Sequence, residues 1–331
     1  MAGSILAVDI GTTRTKYRFE TSQSAQEAWL ETGSPTDTVR LIRRLRDRYR
    51  PTVTAIASYR RAALDSEAHP ILVRDLDASP PSLHFPGTDA GNPFATLHRW
   101  RPHPVRGTAG WFSFDAWLAQ QLTDLAAVAP SMAWLSGAWN LDTKQFDPSV
   151  LSMLKQANRL PDLPEVLDVP TLVGGVLLPI LGDHEATAIS AFAARGELNV
   201  VECGTAWASL VQVQEDLSSA LGLDAPQATG YRETIDPFLV AHLAGTTVQD
   251  AEQRWQGSPI YTSDTGNVLD ALASHHLSDA RDLESRPIVI GGNAERFLSR
   301  LNERLRREFE FVAGGISPLD GLIRLARRTL T

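Results

Sequence analysis

The alternation of apolar and polar stretches sets out two matching segments in this chain. An apolar run at 4–8 leads into a glycine-threonine turn at 9–13, and a second apolar run at 198–201 leads into a similar turn at 202–205. Short apolar runs bounded by turn residues predict buried strands. Turns at strand ends expose backbone N–H groups and a hydroxyl, which together bind anions well. The duplication therefore predicts two phosphate-binding turns and a nucleotide held between two lobes.

The remaining pattern is that of an α/β protein. Residues 16–19 alternate polar and bulky side chains, which predicts the second arm of a hairpin that starts in the first apolar run. Further strands are predicted at 53–57, 198–202, 208–213 and 287–290. Helices are predicted at 36–50, 112–122, 149–156, 183–194, 294–308 and 318–329. A stretch rich in proline and glycine at 161–175 is predicted to be a hinge.

Composition and charge narrow the class of protein. With 331 residues, of which 43% are hydrophobic and 21% charged, the chain is typical of a globular protein with two domains. Its formal net charge of -8 argues against nonspecific nucleic-acid binding. The one cysteine, Cys203, cannot form an internal disulfide, and the N-terminus has neither a basic leader nor a long apolar segment. We therefore expect a cytoplasmic protein that binds neither nucleic acid nor a membrane, with a homodimer left open.

Six short motifs follow one another along the chain. They are Ile5 to Lys16, Phe112 to Leu118, Leu163 to Val166 with Gly174, Gly182 to Ala186, Gly204-Thr205, and Gly291 to Ala294. Their order resembles that of the FGGY carbohydrate kinases, the sugar and polyol kinase branch of the actin-like ATPases. The resemblance runs nearly from end to end, although the stretch between the last two motifs is shorter than is usual in that family.

The resemblance implies a fold as well as an activity. The implied fold class is α/β, with two actin-like (ribonuclease H-like) domains, a mixed sheet in each and a central nucleotide cleft. The N-terminal domain would cover 1–172 and the C-terminal domain 173–331, with a hinge near 165–178. Closure of the two lobes would exclude water from the reacting groups.

The resemblance also implies ATP and Mg²⁺ as cofactors. Asp9 would hold the metal, because Mg²⁺ is usually bound by one or two carboxylates and several waters. Asp9 and Lys16 also have plainer interpretations, as a turn-initiating residue and as an exposed strand residue. The implied nucleotide-binding residues are Gly11, Thr12, Thr13, Lys16, Gly204, Thr205, Gly291, Gly292 and Asn293.

Asp183 is the candidate catalytic base. It follows an apolar run and precedes a predicted helix, and the resemblance aligns it with the catalytic aspartate of the family. Phosphoryl transfer to a hydroxyl needs a group that accepts the hydroxyl proton. The alternative is that Asp183 only caps the helix, since aspartate is a favoured residue at that position.

The acceptor would contact Arg60, Arg61, Trp100 and Asp183. In one branch of the family an Arg-Glu pair stands where this chain has Arg60-Arg61, and two arginines favour a carboxylate or phosphate. This predicts an acidic sugar or a phosphorylated polyol as acceptor, unless one of the arginines simply faces solvent. Trp100 would stack on a sugar ring, or it would be a core residue.

Other classes of site are not indicated. The histidines have no zinc-ligand spacing with supporting cysteines, and His275-His276 is predicted to lie on a helix surface. The chain has neither the Gly-x-Ser-x-Gly signature of α/β-hydrolases nor a P-loop signature.

The sequence thus predicts an ATP-dependent carbohydrate kinase that phosphorylates a hydroxyl of a sugar, polyol or sugar acid. The 2-keto-3-deoxy-galactonate kinases are a subsidiary option, because they share the fold, are close to this length and use an acid acceptor. The alternatives are a nucleotide-binding regulator or sensor on the same fold without phosphoryl transfer, and a protein that binds a sugar alone.

Overall fold

The structure is a computed structural model that describes residues 3–11, 14–58, 113–135, 139–140, 143–156, 163–204, 207–212, 231–236 and 265–330. These residues form two compact units. Unit 1 contains the described residues up to Ala186 and those from Leu322 onward, and unit 2 contains those from Thr187 to Gly321.

Unit 1 is built around a seven-stranded mixed sheet. Its elements are β1 (Ile5–Ile10), β2 (Arg14–Glu20), β3 (Ala25–Glu31), α1 (Pro35–Tyr49), β4 (Val53–Ser58), α2 (Phe114–Thr123), β5 (Ala127–Val128), α3 (Pro130–Leu135), β6 (Trp139–Asn140), β7 (Gln145–Phe146), α4 (Pro148–Gln156), β8 (Glu165–Val166), β9 (Thr171–Val173), β10 (Val176–Leu178), β11 (Leu181–Gly182) and the start of α5 (Asp183–Arg195). The strand order is β3-β2-β1-β4-β10-β9, and β11 also pairs with β4. The strands β1, β10 and β11 run parallel to β4, whereas the β1–β2, β2–β3 and β9–β10 pairs are antiparallel.

Unit 2 contains a second mixed sheet. Its elements are the rest of α5, β12 (Asn199–Cys203), β13 (Trp207–Gln212), β14 (Tyr231–Asp236), α6 (Thr265–Asp279), β15 (Ile288–Ile290), α7 (Ala294–Arg300), α8 (Glu303–Arg306), β16 (Glu310–Phe311) and the start of α9 (Pro318–Leu330). The strand order is β14-β13-β12-β15-β16, with β12, β15 and β16 parallel. The predicted α/β class, with a mixed sheet in each half, is confirmed.

The apolar runs that predicted strands are the centres of the two sheets. All six residues of β1 and all six of β4 are buried. Side chains of β1 pack with α1 and α2 in one cluster, which includes Leu6, Val8, Ile10, Ile42, Leu45, Phe114 and Leu118. In unit 2 alternate residues of β12 enter different clusters, because successive side chains of a strand point to opposite faces: Val201 packs with α6 and α7, and Val200 packs with α5.

The division into units differs from the predicted boundary at 172 and 173. It falls between Ala186 and Thr187, because β10 and β11 pair with β4 and so belong to the first sheet. Residues 171–178, within the predicted hinge region, form the β9–β10 hairpin of unit 1, with Gly174 and Gly175 at positive φ in its turn. The last residues of the chain, from Leu322 onward, also belong to unit 1 rather than to the C-terminal half.

The helix predicted at 294–308 is two helices instead. The chain leaves the helical conformation at Leu301, and the side chain of Asn302 starts α8 by accepting a hydrogen bond from the Leu305 N–H at 3.0 Å. The backbone N–H of Asn302 donates to Asp270 on α6 at 3.1 Å. A capping asparagine with a long-range partner therefore interrupts a sequence whose apolar spacing is continuous.

None of the helices in the described ranges combines the length and the apolar character needed to cross a bilayer.

The prediction that His276 lies on a helix surface is wrong, although its neighbour His275 is exposed. The side chain of His276 is fully buried between α6 and the sheet of unit 2. Asn199 donates from Nδ2 to the Ser285 carbonyl at 2.7 Å, so its Oδ1 accepts from His276 Nε2 at 2.8 Å. The Nδ1 atom then accepts from the Ser209 hydroxyl at 2.6 Å. These bonds fix the neutral Nε2–H tautomer.

Burial of the His276 imidazole, assisted by the nearby His275, lowers its pKa from the ordinary value of 6.5 to about 4. The folded state therefore binds this proton less readily than the unfolded state, so the stabilisation is complete above pH 6.5 and is lost as the pH falls toward 4. We expect the free energy of unfolding to drop by about 2 kcal/mol between pH 7 and pH 5 on account of this residue. Urea unfolding at both pH values measures it.

The neighbouring histidine provides the control for this prediction. His275→Gln should keep the drop, whereas His276→Gln should remove it and lower the stability at pH 7, because a buried hydrogen-bonded group is lost. An unchanged pH dependence in His276→Gln would contradict the assignment.

Candidate functional site

The candidate site in unit 1 lies at one edge of its sheet. Because β1 and β11 both run parallel to β4, the carboxyl ends of the three strands meet at the same edge. Asp9 stands beside Ala57, and Ala57 stands beside Leu181. Asp183 follows β11 two residues after Leu181. The register therefore brings Asp9 and Asp183 to one edge on either side of β4, with strand backbones roughly 10 Å apart at two interstrand spacings.

The turn after β1 depends on Gly11. Its N–H donates to the Arg14 carbonyl at 3.0 Å, and the Thr32 hydroxyl donates to the Gly11 carbonyl at 2.8 Å. A Cβ atom on Gly11 would lie 2.9 Å from the Arg14 oxygen, which is too close for real Cβ atoms. Glycine therefore permits this tight β1–β2 turn. The other two residues predicted to bind phosphate here, Thr12 and Thr13, lie outside the described residues.

Asp9 is a buried carboxylate at the end of β1, with 5% of its surface exposed. Lys16 faces it from the paired position on β2, and its Nζ lies 3.9 Å from Asp9 Oδ2. The Lys16 side chain is half exposed. One positive charge at this distance offsets part of the cost of burying the carboxylate. Both predicted side chains thus belong to the same edge of the sheet.

The donor set at this edge suits a hard divalent cation. Carboxylate oxygens are the protein ligands that Mg²⁺ prefers, and this ion usually takes only one or two of them. Asp9 and Asp183 offer two carboxylates at the ends of β1 and β11, the strands on either side of β4. Within the described ranges no three His, Cys, Asp or Glu side chains cluster in a metal-holding arrangement. Two carboxylates fit Mg²⁺, because this ion keeps several waters and needs few protein ligands.

Asp183 is the first residue of α5, and a different carboxylate caps this helix. Glu185 is buried, and its Oε2 accepts a hydrogen bond from the Gly182 N–H at 2.8 Å. Asp183 Oδ1 accepts from the adjacent His184 N–H at 3.1 Å and remains half-buried. The hydrogen bond from the Gly182 N–H, just before the helix, to the Glu185 side chain is one half of a capping box. The spacing of three residues from Gly182 to Glu185 was the sequence signal for this contact.

In unit 2 the residues predicted for the second phosphate and adenosine segments contact each other. Asn293 donates from Nδ2 to the Gly204 carbonyl at 2.8 Å and from its backbone N–H to the Cys203 carbonyl at 2.9 Å. Gly291 has φ 99° and its backbone packs on Cys203. The side chain of Asn293 therefore fixes the turn at the end of β12, while Thr205 lies outside the described residues.

The thiol next to this turn is not a nucleophile. Cys203 is fully buried, and burial together with the nearby charge of Glu202 raises the pKa of its thiol well above the usual range. A protonated thiol is neither a good nucleophile nor a metal ligand.

Of the residues predicted to bind the acceptor, Asp183 is described, whereas Arg60, Arg61 and Trp100 lie outside the described residues. Of the predicted site residues that are described, Asp9, Gly11, Lys16 and Asp183 belong to unit 1. Gly204, Gly291, Gly292 and Asn293 belong to unit 2.

Substitution by alanine should affect stability differently at the two adjacent glycines that follow β15. A Cβ on Gly291 would lie 2.5 Å from the Cys203 carbonyl oxygen, and its positive φ is unfavourable for alanine. Gly292 has open space around the same position. We expect Gly291→Ala to lower the free energy of unfolding by about 2 kcal/mol or more. Gly292→Ala should change it by less than about 0.5 kcal/mol. Urea denaturation followed by circular dichroism compares them, and equal effects would contradict the close approach.

Comparisons with known proteins bear on the fold. No protein-family model and no curated protein sequence matches the chain. Solved structures do match it. A ligand-bound xylulose kinase from Lactobacillus acidophilus aligns with a TM-score of 0.66 at 14% identity, covering 99% of this chain and 89% of that chain. A gluconate kinase from the same organism aligns with a TM-score of 0.65 at 14% identity and the same coverage.

A glycerol kinase from Plasmodium falciparum, solved with ADP, aligns with a TM-score of 0.61 at 14% identity, covering 99% of this chain and 90% of that chain. Likeness at this level of identity shows the fold alone. The chain has the fold of the xylulose, gluconate and glycerol kinases, and the predicted resemblance to the FGGY carbohydrate kinases is confirmed at that level.

Proposed function

We propose that this chain is an ATP-dependent carbohydrate kinase, which transfers the γ-phosphoryl group of ATP to a hydroxyl of a sugar, polyol or sugar acid. The observation that carries the proposal is the strand register of unit 1, in which Asp9 and Asp183 reach the same sheet edge on either side of β4. The fold shared with sugar and polyol kinases supports it.

Asp183 is assigned the role of base. In the transfer, the acceptor oxygen forms a bond to the γ-phosphorus, the bond to ADP breaks, and the hydroxyl proton passes to the Asp183 carboxylate and then to solvent. A base in this role must lie within about 3 Å of the attacking oxygen. Glu185 supports the assignment because it holds the Gly182 N–H, and so Asp183 need not serve as the cap of its own helix.

Asp9 is assigned to Mg²⁺, either directly or through water. The ion, when bound, neutralises charge on the ATP phosphates. Lys16 lies on the neighbouring strand with its side chain half exposed, and it is assigned to the phosphates as a second positive charge.

The backbone groups of the glycine turns are assigned to the nucleotide. Glycines allow the backbone to approach a phosphate closely, because no side chain intervenes. These assignments cover Gly11, Thr12, Thr13, Gly204, Thr205, Gly291 and Gly292. Asn293 is assigned to position the turn at Gly204, because its side chain donates a hydrogen bond to the Gly204 carbonyl. Arg60, Arg61 and Trp100 are assigned to the acceptor, where the paired arginines favour a carboxylate.

The proposal predicts ADP release that depends on an acceptor and on Asp183. A coupled assay with Mg-ATP should be run over xylulose, glycerol and gluconate, with further polyols and sugar acids. We expect turnover with at least one acceptor, with sugar acids preferred, and a fall in kcat of about 100-fold or more in Asp183→Asn. Asp124→Asn is the matched control, because asparagine also suits the left-handed conformation found there.

Measurable ATP binding without turnover on any acceptor would contradict the proposed kinase activity. It would favour the nucleotide-binding regulator or sensor instead. If Asp183→Asn retained turnover, the kinase activity would be supported, but Asp183 would not be the catalytic base.

The metal assignment predicts a specific defect in Asp9→Asn. The variant keeps the side-chain shape but removes the charge that would attract the cation. We expect the gain in ATP affinity on adding Mg²⁺ to shrink by about tenfold, measured by isothermal titration calorimetry with Mg²⁺ and with EDTA. Affinity in EDTA should not fall. The same gain in the variant and the wild type would contradict a metal role for Asp9.

A further inference from the structure

A groove with three arginines lies on the outer face of α1, away from the candidate site. Its volume is about 370 Å³, and its lining residues are Arg43, Arg46, Asp47, Arg50 and Pro51. The four charged residues are spaced i, i+3, i+4 and i+7, so they occupy one face of the end of the helix. We refer to these five residues as the arginine groove.

Two of the arginines are held in place by backbone carbonyls of neighbouring elements. Arg43 Nη2 donates to the Gln121 carbonyl of α2 at 2.5 Å. Arg46 Nη2 donates to the Gly174 carbonyl in the β9–β10 turn at 2.5 Å. Each guanidinium carries five N–H donors, so one such bond leaves donors for another acceptor. The side chains are thus ordered before any ligand binds, which lowers the entropic cost of binding.

The positive charge of the arginine groove is not neutralised by ion pairs within the part of the chain that the structure describes. None of its three arginines forms a salt bridge with a carboxylate among the described residues. The acidic residue in the lining is Asp47. The helix dipole favours a cation in the last turn of a helix, but Arg43 lies before the last turn of α1, so the dipole does not account for it. The local excess of positive charge occurs in a chain with a formal net charge of -8.

The arginine groove and the candidate site lie at opposite ends of β4. Arg50 and Pro51 lie within three residues of the start of β4. The Gly175 carbonyl next to the groove accepts from the N–H of Thr54, the second residue of β4, at 2.8 Å. The candidate site lies at the other end, beyond Ser58. The length of this strand separates them by roughly 17 Å. The groove is therefore separate from the edge that carries Asp9 and Asp183.

We propose that the arginine groove binds a small phosphorylated metabolite. Planar guanidinium groups match the oxygens of phosphate and bind them with two parallel hydrogen bonds. The groove volume lies at the lower end of the range for small-molecule sites, which suits a compact ligand with one or two phosphoryl groups. This site does not depend on the proposed kinase activity, because its residues take no part in the candidate site.

The test is calorimetric titration with inorganic pyrophosphate, at fixed ionic strength and without divalent metal. We expect Arg46→Gln/Arg50→Gln to weaken binding by at least about tenfold. Arg44→Gln/Arg48→Gln removes the same charge from exposed positions outside the groove and should weaken it by less than about twofold. Arg50→Gln alone is included because Arg50 is in no ion pair among the described residues, so the substitution removes groove charge without breaking one.

Three results would overturn the proposal. The first is equal pyrophosphate affinity in the wild type and in Arg46→Gln/Arg50→Gln. The second is an equal loss in both double variants, which would indicate attraction by the overall charge. The third is co-sedimentation with phosphatidylglycerol vesicles without binding of pyrophosphate in solution, which would indicate a membrane surface.

Discussion

The parallel pairing of β4 with β1 and β11 is the constraint on which the candidate site depends. Asp9 and Asp183 are far apart in the sequence: Asp9 lies near the end of β1 and Asp183 follows β11, so neither strand alone brings them together. Side chains along a strand alternate between faces, so a slip of one residue in the β1–β4 register would put Asp9 on the wrong face. Both faces of β1 and β4 are buried, so such a slip would place side chains of the wrong size and shape in the close-packed layers on each side of the sheet. The hydrophobic core thus sets the geometry of the acidic edge.

Unit 2 uses a related arrangement, but its turns are fixed by backbone contacts. The parallel pairing of β12 with β15 brings Gly291 against Cys203, at a distance that leaves no room for a side chain. Asn293 then holds the carbonyls of Cys203 and Gly204. In unit 1 the corresponding turn is tight because Gly11 bonds to Arg14. Glycine is required in both turns for the same physical reason, namely close approach of backbone to backbone.

Much of the fold could be predicted because it follows from local patterns. The apolar runs predicted β1, β4, β12 and β15, and helical spacing predicted α1 and α5. The failures involve long-range partners. His276 looks like a surface residue locally, and only Asn199 and Ser209 on two strands of the sheet make its burial favourable. Asn302 ends one helix and starts another partly through Asp270. The candidate residues were identified from motifs, but their placement on one sheet edge follows from strand pairing, which local patterns do not encode.

The position of the arginine groove fits the electrostatics of unit 1. A buried Asp9 and a half-buried Asp183 give the carboxyl edge of the sheet two carboxylates that attract a cation. The opposite end of β4 carries Arg43, Arg46 and Arg50, where an anion is attracted. Binding at the groove needs little ordering of Arg43 and Arg46, because backbone carbonyls already hold these two side chains. Coupling to the other end would require a second arrangement of the packed strand between them, since close-packed cores do not deform continuously. The groove is therefore best understood as a binding site in its own right.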